Sequence, residues 1–128
     1  MNTPVSFEIA KLLKEKGFEG AKSPLWYYKD GTLHETPTVG YKGLKCWNTW
    51  DATQGVRWDA PTIAEVVCWI YIKYNIWIQV SILKDDEWHY SIRRKENNWE
   101  IEFPTKEKIS SIEKAYEAGI KYCLTKLI

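Results

Sequence analysis

No apolar run in this sequence approaches the roughly 18 residues that a membrane-spanning helix needs, so no membrane partner is expected. Charge of one sign is not in excess either: 18 Lys and Arg stand against 17 Asp and Glu, a net charge of +1. The two signs are interspersed, which leaves no global field to draw the chain to nucleic acid or to an anionic membrane. Any polyanion site has to be local. Cysteine is scarce. Cys46, Cys68 and Cys123 are odd in number, far apart and in no metal-type spacing, and two of them fall on apolar helix stripes. They read as reduced cytosolic thiols rather than a disulfide framework. Gly-rich phosphate loops, Ser nucleophile elbows and CxxC pairs are missing as well. The opening MNTPVSFEIAKLLKEKGF has no basic region leading into an apolar one, and a cytoplasmic location is expected, in the protein's own cell or in a host.

What the sequence does have is aromatic. Eight Trp and eight Tyr are far above the globular norm, and the stretch KCWNTWDATQGVRWDAPT, residues 45–62, carries Trp47, Trp50 and Trp58 among polar and small residues. From Thr36 to Ala60 no period of 2 or 3.6 survives, and Gly40, Gly43 and Gly55 interrupt it. Loops of that length are uncommon in compact domains and are usually functional or mobile.

Around that loop the chain is more regular. TPVSFEIAKLLKEKGF offers Thr3 as N-cap and Pro4 at the first helical position, sets Val5, Ile9, Leu12 and Leu13 on one face, and stops at Gly17. Phe18, just past that Gly, is placed to fold back on the last turn. LWYYKDGTLHE predicts a hairpin turning at Asp30-Gly31. Thr62 with Glu65 predicts a capping box, followed by a wide apolar stripe of Ile63, Val66, Val67, Ile70, Tyr71 and Tyr74. IWIQVSIL alternates, with Ile76, Ile78, Val80 and Ile82 on one face. Asp85-Asp86 and Asn97-Asn98 then turn the chain into two more strands, in which Trp88, Tyr90 and Ile92 share a face. In the simplest register Arg93 and Lys95 face Glu100 and Glu102 across the last hairpin. Ser110 with Glu113 suggests a second capping box, opening a helix whose apolar face runs from Ile112 to Leu127.

The order is thus α-β-β-loop-α-β-β-β-α, an α+β domain over residues 1–128 with helices packed on one face of an antiparallel sheet. At 128 residues, a chain of this size buries roughly two-thirds of its unfolded surface, enough for a real core.

The segments TPVSFEIAKLLKEKGF, PTIAEVVCWIYIKYNIWIQV and SSIEKAYEAGIKYCLTKLI resemble a recurring family of small proteins from Bacteroidetes and from phages and prophages of that group. The resemblance covers the chain ends and the middle helix-strand unit, and misses residues 25–60. It brings no activity and no site residues; what it implies is a cytosolic, phage-borne accessory protein. Residues 62–127, read α-β-β-β-α, are also similar in element order to double-stranded-RNA-binding domains. Those domains resemble one another in a lysine cluster opening the final helix, whereas here that turn reads SSIEKAYEAG, with Glu113 and Glu117 beside Lys114. Acids there repel phosphate.

Trp47, Trp50, Arg57 and Trp58 are the candidate binding residues. In the functional reading their rings would make a stacking platform at roughly 1–3 kcal/mol per stacked base, with Arg57 to pair with phosphate or carboxylate. The structural alternative has the rings fold inward over a sheet edge or core mouth, and a third arrangement packs the loop against a partner in a homodimer. Trp69, Trp77, Trp88 and Trp99 sit on regular elements, where core or sheet-face packing is the expectation. His34-Glu35 and His89 with Asp85 and Asp86 are the only acid-base candidates, and neither His has a sequence neighbour that orients it as a triad does. The expectation is therefore a non-enzymatic binding or interaction protein, without catalytic residues, cofactor or metal. It contacts a protein partner or a small planar, nucleotide-like ligand through the Trp loop. A nucleic-acid-binding module is the alternative, and a small enzyme the third.

Overall fold

The computed structural model describes residues 3–19, 21, 24–35, 58–84, 87–95, 100–102 and 109–128. The architecture is α+β. Among the described residues the helices are α1 (Phe7–Glu15), α2 (Ile63–Tyr74) and α3 (Ile112–Tyr122). The strands are β1 (Leu25–Tyr27), β2 (Leu33–Glu35), β3 (Trp58–Asp59), β4 (Ile76–Lys84), β5 (Glu87–Arg94) and β6 (Glu100–Glu102). The strands divide between two antiparallel sheets, ordered β2-β1-β3 and β4-β5-β6, rather than joining one. The chain forms two compact units, Pro4–Pro61 and Thr62–Ile128 with Met1–Thr3.

In the N-terminal unit α1 begins later than the Thr3-Pro4 pattern suggests. Val5 is extended and donates its N–H to the Pro61 carbonyl at 3.0 Å. Ser6 is the cap, its hydroxyl accepting from the Ile9 N–H. Pro4 lacks the N–H that a strand edge on that side leaves unused, so the proline suits an extended entry as well as a first helical turn. The helix ends as expected. Gly17 takes φ +83°, while its N–H and that of Phe18 donate to the carbonyls of Lys14 and Leu13, the paired bonds of a Schellman cap. Ile9, Ala10 and Leu13 are buried, and so are Val5, Trp26, Ala60 and Pro61.

The β1–β2 hairpin forms with a connection one residue longer than the Asp30-Gly31 pair alone. The Gly31 N–H donates to the Tyr28 carbonyl at 2.9 Å and the Tyr28 N–H to the Thr32 carbonyl at 3.0 Å. This is a type I turn closed by a left-handed glycine at φ +87°. A Cβ on Gly31 also meets the Phe7 ring at 3.2 Å, so both backbone and space demand glycine there.

In the C-terminal unit the capping box forms: the Glu65 N–H donates to Thr62 Oγ1 at 3.2 Å, and the Thr62 N–H to Glu65 Oε2 at 2.9 Å. Asn75, at φ 57°, closes α2. Ile63, Val66, Val67 and Ile70 are buried, but Tyr71 and Cys68 are exposed, so the stripe facing the core is narrower than its periodicity suggests. β4 and β5 pair Ile78 with Ile92 and Val80 with Tyr90, and against this face lies α3. Its Gly119 stands so close that an added Cβ meets Ile78 Cγ2 at 2.8 Å.

Two expectations about this unit are corrected. The cap of α3 is Ser111, whose hydroxyl accepts from the Lys114 N–H at 3.2 Å; Ile109 is still extended, its carbonyl taking the Trp88 N–H. The β5–β6 register places Arg94 opposite Glu100 and Arg93 opposite Ile101, not Arg93 and Lys95 opposite the two acids. A slip of one residue exchanges faces. The turn pairs Asp85-Asp86 and Asn97-Asn98 lie outside the described residues. Beyond α3, Cys123–Leu127 winds as a π-helical turn in which the Ile128 N–H reaches the Cys123 carbonyl. Thr125 bonds back to the Lys121 carbonyl at 2.7 Å, and Cys123 and Leu124 are buried.

Candidate functional site

Of the four candidate binding residues, Trp58 is described; Trp47, Trp50 and Arg57 lie outside the described residues. Trp58 belongs to β3, not to a loop reaching Ala60. It pairs with Tyr27, and Asp59 with Trp26. Two residues are too few to show an alternation, which is why the strand leaves no periodic trace in the sequence.

The Trp58 ring is half-buried and meets the Phe7 ring edge-on, centroids 5.2 Å apart at 77°. Phe7 in turn contacts Tyr27 at 5.3 Å, whose hydroxyl donates to the Val5 carbonyl at 2.7 Å. Tyr27 and Trp58, opposite each other in register, thus hold one face of the sheet against the start of α1. Lys14 Nζ lies 5.6 Å from the Trp58 centroid and Lys11 Nζ 4.6 Å from that of Phe7. Each such contact contributes about 0.5–1 kcal/mol at an exposed site. The arrangement fixes the point at which the Trp-bearing segment enters the sheet.

Near this anchor runs a half-open groove of about 410 Å³, within the size range of small-molecule sites. Ala10, Leu13 and Phe18 give it apolar walls, and Lys14, Glu19 and Asp59 bring charges of both signs. It sits at the C-terminal end of α1, where the helix dipole is negative. The sequence shows why Phe18 returns to this helix end, through Gly17. It gives no sign that Asp59 arrives from β3 to complete the groove.

The histidines stand in separate units. His34, on β2, is exposed, and its ring stacks on Trp26 with centroids 4.7 Å apart at 20°. Its Nε2 lies 2.8 Å from Thr32 Oγ1, and that hydroxyl donates to Asp30 Oδ1 at 2.6 Å. With its one proton given to Asp30, the hydroxyl accepts from His34, which makes Nε2 the protonated nitrogen. His89, on β5, is half-buried and opposite Ser81, with no hydrogen-bond partner at Nε2 among the described residues. Among the described residues no group of three or more His, Cys, Asp and Glu is placed to hold a metal ion. No helix of those residues is long and apolar enough to cross a membrane.

Asp30 also accepts from the Thr32 N–H at 2.9 Å. The Thr32 hydroxyl first, then this backbone bond, hold the Asp30 carboxyl below the ordinary carboxylate range, and the nearby His34 acts in the same direction. The folded state therefore favours the ionised form. Its contribution is fully present above the unfolded value of about 3.9 and is lost as pH falls through the lower folded value. In an NMR titration of the side-chain carboxyls, Asp30 is expected to protonate below the model-peptide value, and Thr32→Val to move it back up. An unchanged midpoint in Thr32→Val would remove the hydroxyl as the cause.

Comparison of the chain with protein-family models, with curated proteins and with solved structures finds no match.

Proposed function

We propose that this protein is a non-enzymatic binding protein that engages a protein partner or a small planar ligand through Trp47, Trp50 and Arg57, with Trp58 as their anchor. The observation that carries the reading is the seating of Trp58: its ring is clasped by Phe7 and Lys14 on a short strand, near a groove of ligand size. Fixing one end of a segment lowers the ordering cost of binding through it. The charges at the groove, with Glu19 and Asp59 at a helix C-terminus, suit a neutral or zwitterionic planar ligand better than a bare phosphate.

A melting screen against mononucleotides, cyclic dinucleotides, aromatic amines and short RNA and DNA duplexes tests this. A ligand at about a hundred times its Kd adds roughly 2.7 kcal/mol and raises the midpoint by several degrees. The expected result is such a shift in the wild type and its loss in Trp50→Ala. A shift given by duplexes alone, falling steeply with salt, would replace this reading with nucleic-acid binding. If no small ligand shifts the midpoint, the protein-partner branch is tested by partner capture with Trp50→Ala as control, and capture that Trp50→Ala leaves intact would overturn the reading.

A further inference from the structure

Helix α2 has an apolar side too many. Its core side is Ile63, Val66, Val67 and Ile70, yet between Glu65 and Lys73 there is no charged residue at all. On the outward side Cys68 is exposed, Ile72 is 79% exposed and Tyr71 41% exposed. Trp77, at the start of β4, is 39% exposed and meets Tyr71 edge-on, with ring centroids 5.4 Å apart at 83°. An amphipathic surface helix carries charged and polar residues here, and a contiguous apolar patch of this kind marks an interaction surface.

We infer that this outward face of α2 pairs with the same face of a second copy of the chain, the two helices running antiparallel. The helix is built for reversal about Cys68. Ala64, Cys68 and Ile72 form a ridge at four-residue spacing, so a twofold axis at Cys68 sets the small Ala64 of one copy against the large Ile72 of the other. The same operation brings the Glu65 end of one helix to the Lys73 end of the other, so unlike charges and unlike dipole ends meet at both limits of the contact. Tyr71 and Trp77, already locked ring to ring, wall one side of the ridge. On the other side Lys73 Nζ lies 5.2 Å from the Trp69 centroid, leaving its charge at the rim. A twofold contact uses one patch twice, and this patch carries both halves of the complementarity.

Sedimentation equilibrium over a wide concentration range, on the full chain, tests the pairing. The wild type is expected to show a monomer–dimer equilibrium. Ile72→Lys, at a position already in solvent, is expected to weaken association by at least about tenfold while keeping the wild-type melting midpoint at dilutions where both proteins are monomeric. Lys73→Glu, which sets like charges together at both ends, is expected to weaken it as well. In a Cys46→Ser background, a short bis-maleimide is expected to link two chains through Cys68 in the wild-type helix and not in Ile72→Lys. A wild type that is monomeric at every concentration would overturn the inference, and so would a dimer that Ile72→Lys leaves intact. None of these measurements involves Trp47, Trp50 or Trp58, so the pairing and the proposed binding role stand or fall separately.

Discussion

Gly119→Val is expected to cost about 3 kcal/mol of stability, near the upper end for overpacking a closed core, seen as a lower denaturation midpoint in urea with an unchanged slope. The reason is local. A Cβ on Gly119 meets Ile78 Cγ2 at 2.8 Å and Tyr90 Cδ2 at 3.2 Å, and both partners are buried in the β4–β5 face. The Ile78 atom is a branch methyl on a strand side chain, with no flexible tail to swing aside. Either the isoleucine leaves its rotamer or α3 lifts off the sheet. Valine adds two methyl groups beyond that Cβ. Gly119→Ala separates the contributions, because alanine recovers about 1 kcal/mol of helix propensity over glycine and offsets part of the clash. If Gly119→Val is as stable as the wild type, α3 does not pack on β4 and β5 as described.

The second large effect is expected in the N-terminal unit. Leu13 is buried, and its carbonyl accepts the Phe18 N–H that closes α1. Leu13→Ala should cost about 3 kcal/mol, within the usual range for leucine truncation in a core. Leu12, half-buried one position earlier, is the control, and its truncation should cost clearly less. Leu13 also lines the groove, so its truncation is expected to change ligand affinity if the groove is used. Equal costs at the two positions would mean that α1 does not present Leu13 to the core.

How far the sequence carries is visible in single residues. The Thr62–Glu65 box, the Gly17 stop and the Asp30-Gly31 turn follow from local rules, because each is decided within a few residues of chain. The errors arise where two local solutions compete. Pro4 fits both a helix start and an extended edge, and the pairing of Val5 with Pro61, far away in sequence, decides for the edge. Ser110 and Ser111 are both good caps, and the bridge from Trp88 to Ile109 keeps the chain extended far enough to select the second. Register across β5 and β6 depends on the length of the connection, which residue type alone does not set. Tyr71 belongs to the right period, but the core accepts a narrower stripe than the sequence offers. Trp58 was legible as a candidate residue and not as a strand, because a two-residue strand is defined entirely by its partner.

The most direct test of the proposed role compares Trp50→Ala and Trp58→Ala in the same two experiments, chemical denaturation and binding to the ligand or partner that the screen identifies. Trp58→Ala is expected to lose about 3 kcal/mol of stability, since its ring packs on Phe7. Trp50→Ala is expected to keep the wild-type stability within about 0.5 kcal/mol and to lose binding. A Trp50→Ala variant that binds normally would overturn the binding role, and one that loses several kcal/mol of stability would make Trp50, like Trp58, part of the fold.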